Sequence, residues 1–378
     1  MQSCLNLLST MRSTDINDIE APLALRRYVL ASVVIVVASA FMALSRDANA
    51  ESPVDAALCT KASSACFKSF TPPSASGEFS YYASMPTLNT KQSAAANTPT
   101  SALIAVHGHP RDAVRTFDAA MTAARGAGRL RDTLVIAPLF QVSQGSASRC
   151  QSTDTPPARP DDIVWTCSSW MQGGTGHIGQ EKSVTSFAML DALINEVHQQ
   201  YPSVKTITVF GFSAGGQAVQ HYIGFSNPTL PIDVRLRFVV SDPGTWLYFD
   251  ADRPFPPADS VSCPSVNGWK YGINALPSNL GRTGAQARAH YAQSEVHYMQ
   301  GALDTGTGRA AYYKVLDKSC AAQAQGAYRL ERGLAYAEYD RKMIAPDQQR
   351  QVTVVPDCGH KVECVLPSAQ ARLVVFPK

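Results

Sequence analysis

Neither a Cys-x-x-Cys pair nor a His-Glu-x-x-His run occurs anywhere in the 378 residues, so the common zinc spacings are absent and no metal is expected. Charge of one sign is lacking too: 33 Lys and Arg stand against 30 Asp and Glu, a net charge of +3. Such a balance excludes the concentrated basic footprint of a nucleic-acid binder, and no nucleic-acid partner is expected. No internal repeat is visible, so the chain is not read as a repeat array. The apolar run Val29–Leu44 falls short of the roughly 20 residues that a membrane-spanning helix requires. What remains is an ordinary globular composition, 45% hydrophobic and 17% charged, with enough apolar material for one large core. The length would also admit two small domains.

The N-terminus has the organisation of an export signal. Arg26 and Arg27 precede the apolar run, and Ala48-Asn49-Ala50 has the small-x-small form of a signal-peptidase site. Residues 1–50 are therefore expected to be a signal peptide cleaved after Ala50, leaving no stable membrane span; an uncleaved anchor is the competing reading. Of nine cysteines, Cys4 would leave with this segment. The other eight are Cys59, Cys66, Cys150, Cys167, Cys263, Cys320, Cys358 and Cys364. An even number in an exported chain suggests disulfides, and joining sequence neighbours is the economical pairing: 59–66, 150–167, 263–320 and 358–364. A set of buried free thiols is the alternative. A secreted or periplasmic protein is expected.

Beyond residue 50 the chain alternates strand, loop and helix. Phe79–Ser84 is an early strand, and Ala102–Val106 and Thr133–Ala137 are short continuous apolar runs suited to strands buried on both faces. A helix is predicted over Ala113–Arg125, ended by Gly126 and Gly128. Apolar residues at spacings of three and four predict another over 181–200, closed by Tyr201-Pro202. There follow Thr206–Phe210 (strand), Ala214–Ile223 (helix), and strands at Phe238–Ser241, Val296–Met299 and Val352–Val355. Thr71–Ser76, Asn89–Thr100 and Gly145–Asp162 read as surface loops. The alternation predicts a single α/β domain over 51–378, a mostly parallel doubly wound sheet with helices on both faces. Ligands bind such sheets at the carboxyl ends of the strands, so the chemistry is sought just after each strand.

Gly211-Phe212-Ser213-Ala214-Gly215 is a G-x-S-x-G run between a β-rich segment and a helix, the context in which a serine is held on a sharp turn as a nucleophile. A glycine-rich turn with a helix-capping serine is the plainer reading. His360, in Asp357-Cys358-Gly359-His360 directly after the last strand, is the candidate general base. His221, near the far end of the elbow helix, suits surface or packing, and His297 lies within a strand. Asp304, after the strand Val296–Met299, is the candidate acid, favoured by the order Ser, Asp, His. Asp242, after the preceding strand, is the rival acid. His107-Gly108-His109-Pro110 follows the strand Ala102–Val106, where an oxyanion donor is expected. The backbone N–H groups of His109 and Ala214 are assigned this role, since Pro110 has no N–H.

Taken together, Val-His-Gly-His-Pro at 106–110, Gly-Phe-Ser-Ala-Gly-Gly at 211–216 and Asp-Cys-Gly-His at 357–360 resemble the α/β-hydrolase superfamily. The likeness is to its exported bacterial and fungal esterases, a group that shades into polyhydroxyalkanoate depolymerases and feruloyl-esterase-like enzymes. Ser241–Trp246 and Trp269–Gly272 are similar to loops of that group, whereas His-Gly-His-Pro departs from the His-Gly-Gly-Gly of common lipases. The resemblance implies a cofactor-free serine hydrolase using Ser213, His360 and Asp304 on a small or polymeric ester. A catalytically inactive binding protein and a serine peptidase are the alternatives. Two long segments, about 243–294 and 305–345, interrupt the core pattern. They are expected to be insertions that act as a lid, a substrate wall or a structural cover.

Overall fold

Among the described residues, twelve strands can be followed in chain order. They are β1 (Phe67–Phe70), β2 (Phe79–Ala83), β3 (Ser101–Val106), β4 (Thr133–Leu139), β5 (Gln141–Val142) and β6 (Val164–Trp165). The rest are β7 (Thr175–Ile178), β8 (Glu181–Thr185), β9 (Thr206–Phe212), β10 (Arg235–Ser241), β11 (Glu295–Gly301) and β12 (Val352–Val355). This computed structural model describes residues 58–73, 75–86, 98–258, 261–306 and 312–377. Residues 1–50, expected to be a signal peptide, and the expected cleavage after Ala50 lie outside the described residues.

Eight strands form one sheet in the order β1-β2-β4-β3-β9-β10-β11-β12. β2 runs antiparallel to both β1 and β4, and every other pairing is parallel. The continuous apolar runs follow from this. Along a strand successive side chains point to opposite faces, so burial of both faces demands apolar residues at every position. Ala102, Ile104, Val106, Ile207, Val209, Phe238 and Val240 pack on one side, with Leu190 and Leu193 of the helix Ser186–Gln200, Val219 of Ala214–Phe225 and Tyr336 of Arg329–Tyr339. Leu103, Ala105, Val135, Phe210 and Val239 pack on the other, with Phe117 and Met121 of the helix Ala113–Gly126 and Val375 of Ala369–Val375. The sheet is thus doubly wound and mostly parallel.

Two expectations are corrected. Residues 181–200 are not one helix: Glu181–Thr185 is the strand β8, paired antiparallel with β7, and the helix begins at Ser186. Thr185 sets that start, its side chain accepting from the Ala188 N–H at 3.1 Å, as an N-cap does. The stretch 145–162 is not all loop, since a helix runs over Gln144–Cys150. It is anchored by Arg111, a fully buried residue whose guanidinium donates to the carbonyls of Phe140 (2.7 Å), Cys150 (3.0 Å) and Thr166 (2.7 Å). A buried charge that donates several hydrogen bonds fixes all three backbone segments at once.

The two long segments after β10 and β11 contribute core as well as surface. Trp246, Leu247, Tyr248 and Phe249 are buried against the sheet, with Trp246 stacked on Tyr336 at 4.4 Å. Gln325 joins the two segments by accepting from the Trp246 N–H and donating to the Trp246 carbonyl, both at 2.8 Å. Cys263 and Cys320 join them again. The eight cysteines among the described residues pair as sequence neighbours, 59–66, 150–167, 263–320 and 358–364, with Cα separations of 5.6, 5.6, 5.7 and 5.6 Å.

Candidate active site

Ser213 stands between β9 and the helix Ala214–Phe225, with φ 58° and ψ −119°. That positive φ is uncommon for a residue bearing a Cβ and is retained only where surrounding structure enforces it. The enforcement is visible. The Ser213 N–H donates to the Ser241 carbonyl at 2.9 Å, and Gln217 N–H donates to the Ser213 carbonyl at 2.9 Å. Gly215 lets the helix start against β3, because a Cβ there would run into the Val106 and His107 carbonyl oxygens. A Cβ on Gly211 would collide with the Gly215 backbone. The glycines of the motif are therefore required by strand–helix contact.

His360 reaches the serine from the loop after β12. Its Nε2 is 2.7 Å from Ser213 Oγ, and its Nδ1 is 2.7 Å from Asp304 Oδ2. An ionised carboxylate only accepts, so Nδ1 carries the proton and Nε2 accepts from the serine hydroxyl. The loop is tied down on both sides of the histidine. Cys358 and Cys364 pair across it, and the Cys358 carbonyl accepts from the Leu303 N–H at 2.9 Å. The Phe212 ring lies 4.8 Å from the imidazole and the exposed Tyr312 ring 6.3 Å away.

The two candidate acids lie at neighbouring strand ends. Asp304 follows β11 and takes the contact with His360. Asp242 follows β10, fully buried at φ 48°, and accepts from Gly301 N–H (2.8 Å) and from the Ser241 hydroxyl (2.7 Å). Arg329, at the start of the helix Arg329–Tyr339, places Nη1 3.3 Å from Asp304 Oδ1. Burial, followed by the charge of Asp304, pushes Asp242 up to about 7. Burial raises Asp304 to about 6, against the pull of Arg329. Burial and then the Arg329 charge hold His360 down at about 3, which keeps the imidazole neutral and ready to accept a proton. One potential ligand atom each of Asp242, Asp304 and His360 lie within 4.8 Å of one another. The guanidinium beside them and the histidine's bonds to serine and aspartate fit a proton-transfer group better than a cation site.

In the loop after β3, Gly108 N–H already donates to Asp112 Oδ1 at 2.9 Å. No acceptor among the described residues takes the N–H of His109 or of Ala214. His107 is a packing residue: its Nδ1 bonds the Gly108 carbonyl at 2.8 Å, and its Nε2 accepts from Phe140 N–H at 3.1 Å. His221 is buried between the Gln217 and Lys270 carbonyls at 2.7 and 2.8 Å, and His297 meets Thr353 Oγ1 at 2.8 Å. None of these three histidines contacts the serine. Arg329 and Asp112 were not singled out in the sequence. Asp112 stands four residues beyond Gly108, a spacing that could have drawn attention to it. Arg329 lies in a long insertion where no local motif marks it.

No family model matches the chain, and no curated protein sequence matches it. Among solved structures, it is similar to poly(aspartic acid) hydrolase-1 from Sphingomonas sp. KT-1, with TM-score 0.54, 18% identity, and coverage of 82% of this chain and 98% of that one. A poly(3-hydroxybutyrate) depolymerase from Bordetella parapertussis superposes with TM-score 0.49 at 16% identity, covering 79% and 84%. A fluorophosphonate-binding serine hydrolase from Staphylococcus aureus gives 0.45 at 13%, covering 82% and 96%. With its strand order and its serine-bearing turn after β9, the chain has the α/β-hydrolase fold.

Proposed function

We propose that the protein is a serine hydrolase that cleaves carboxylic esters through an acyl-enzyme intermediate. The observation that carries this reading is the hydrogen-bonded path from Ser213 Oγ through His360 to Asp304, 2.7 Å at each step. Ser213 Oγ attacks the ester carbonyl carbon while its proton passes to His360 Nε2. Asp304 holds the imidazole in the productive tautomer and stabilises the imidazolium. The carbonyl oxygen, now an oxyanion, receives hydrogen bonds from the N–H groups of His109 and Ala214. His360 then returns the proton to the leaving alkoxide. Water attacks the acyl-enzyme with His360 again as base, releasing the acid and restoring Ser213.

Four cysteine pairs favour an oxidising compartment, in keeping with export to the periplasm or beyond. The substrate is read as a small or polymeric ester, and no cofactor takes part. The test is hydrolysis of p-nitrophenyl esters of increasing acyl length, feruloyl esters, polyester films and poly(aspartic acid). Turnover of esters by the wild type and none by Ser213→Ala is expected. Turnover of none of them, or equal turnover by Ser213→Ala, would overturn the reading. Cleavage of poly(aspartic acid) alone would replace ester by amide.

A further inference from the structure

Two carboxyl groups converge on His360, although a triad employs one. Asp242 and Asp304 stand at the ends of adjacent parallel strands, β10 and β11. Both are buried, and a carboxylate oxygen of Asp242 lies within 4.8 Å of one of Asp304. Two buried carboxylates this close repel one another when both are ionised, which favours one proton on the pair. The remaining partners are unequal. Asp304 faces a guanidinium and the Nδ1–H of His360, whereas the rest of Asp242 receives only the neutral Gly301 N–H and Ser241 hydroxyl. The charged donor belongs to Asp304, so the proton belongs to Asp242.

Charge accounting agrees. With both carboxylates ionised, one guanidinium and a neutral imidazole would leave the buried cluster at net −1. A single proton on Asp242 makes it neutral. Arg329 is itself buried, and the helix it begins is fastened at the same place, where Leu330 N–H donates to the Asp304 carbonyl at 3.2 Å.

We propose that Asp242 and Arg329 are positioning residues for the triad acid: the carboxyl pair shares one proton, carried by Asp242, and Arg329 keeps Asp304 ionised toward His360. This rests on the serine-hydrolase reading above. The charged and titratable groups concerned are Asp242, Asp304, His360 and Arg329. They predict how the acidic limb of kcat/KM responds to each substitution. Arg329→Gln removes the positive charge that favours ionised Asp304 and neutral His360, so the limb moves to higher pH by about one unit. Asp242→Asn keeps the size, a donor and the neutral charge that the proton gives Asp242, so the limb stays near its wild-type position. Arg329→Lys keeps the limb near its wild-type position.

The experiment is kcat and KM against pH for the wild type and the three variants, with fluorophosphonate titration of Ser213 in each. A limb shifted to higher pH in Arg329→Gln, with Asp242→Asn and Arg329→Lys near wild type, is expected. If Arg329→Gln does not fold, Asp242→Asn still decides, because a limb moved to lower pH in that variant would mean that Asp242 is ionised in the wild type. Ser213 labelled throughout but the Arg329→Gln limb coinciding with wild type would overturn this inference alone, as would a limb moved to lower pH in Asp242→Asn. Unlabelled wild-type Ser213 would overturn the reading beneath it.

Discussion

At the scale of single residues, the choice between Asp304 and Asp242 was open in the sequence because both follow core strands. Geometry separates them: the carboxylate at 2.7 Å from His360 Nδ1 is Asp304, while Asp242 is held by its own neighbours. Asp304→Asn should therefore lower kcat by about 10³–10⁴-fold, and Asp242→Asn by less than about tenfold, in steady-state kinetics at pH 7. If only Asp242→Asn collapses kcat, the roles are exchanged. Asp242 also has a consequence for stability. Its folded value of about 7 lies above the ordinary 3.8, so between those values the folded protein holds a proton that the unfolded chain releases. Wild-type stability contributed by this residue thus falls as pH rises from about 4 to about 7. Asp242→Asn abolishes that loss, so its melting temperature relative to wild type should rise across the same window. A constant difference across it would contradict this.

At the scale of elements, what was legible is what local chemistry dictates. Ala102–Val106 and Thr206–Phe210 announced themselves because a strand buried on both faces has no polar position to spare. The elbow was legible because its G-x-S-x-G run lies between a β-rich segment and a helix, and Gly211 answers to the Gly215 backbone within the motif, although Gly215 itself answers to the distant Val106 and His107. Gly215→Ala tests this, since the new methyl would meet the Val106 and His107 carbonyls, which cannot swing aside as a flexible side chain could. It should cost about 1–3 kcal/mol in urea unfolding and displace Ser213, lowering kcat. Unchanged stability would contradict the account. Less was legible where partners are distant. The strand β8 was absorbed into the helical pattern because its apolar Val184 fits both periods, and only pairing with β7 distinguishes them. Arg329 was invisible because its partner Asp304 is 25 residues away and nothing near either predicts the contact.

At the scale of the whole molecule, the long segments after β10 and β11 are held together and to the sheet. The Cys263–Cys320 bridge spans a sequence separation of 57, so it removes considerable freedom from the unfolded chain. Replacing both cysteines by serine should lower stability by about 2–4 kcal/mol in denaturant titration. No change in the midpoint would mean that Gln325, Trp246 and their neighbours suffice. The order of the strands, the buried aromatics of these segments and the serine turn serve one arrangement, a serine presented at the carboxyl edge of the sheet. Its most direct test is reaction of the folded protein with a fluorophosphonate, followed by intact mass and peptide mapping. One adduct per chain on Ser213, absent from Ser213→Ala and strongly slowed in His360→Ala, is the result the account predicts. No adduct on Ser213 in folded wild-type protein would contradict it.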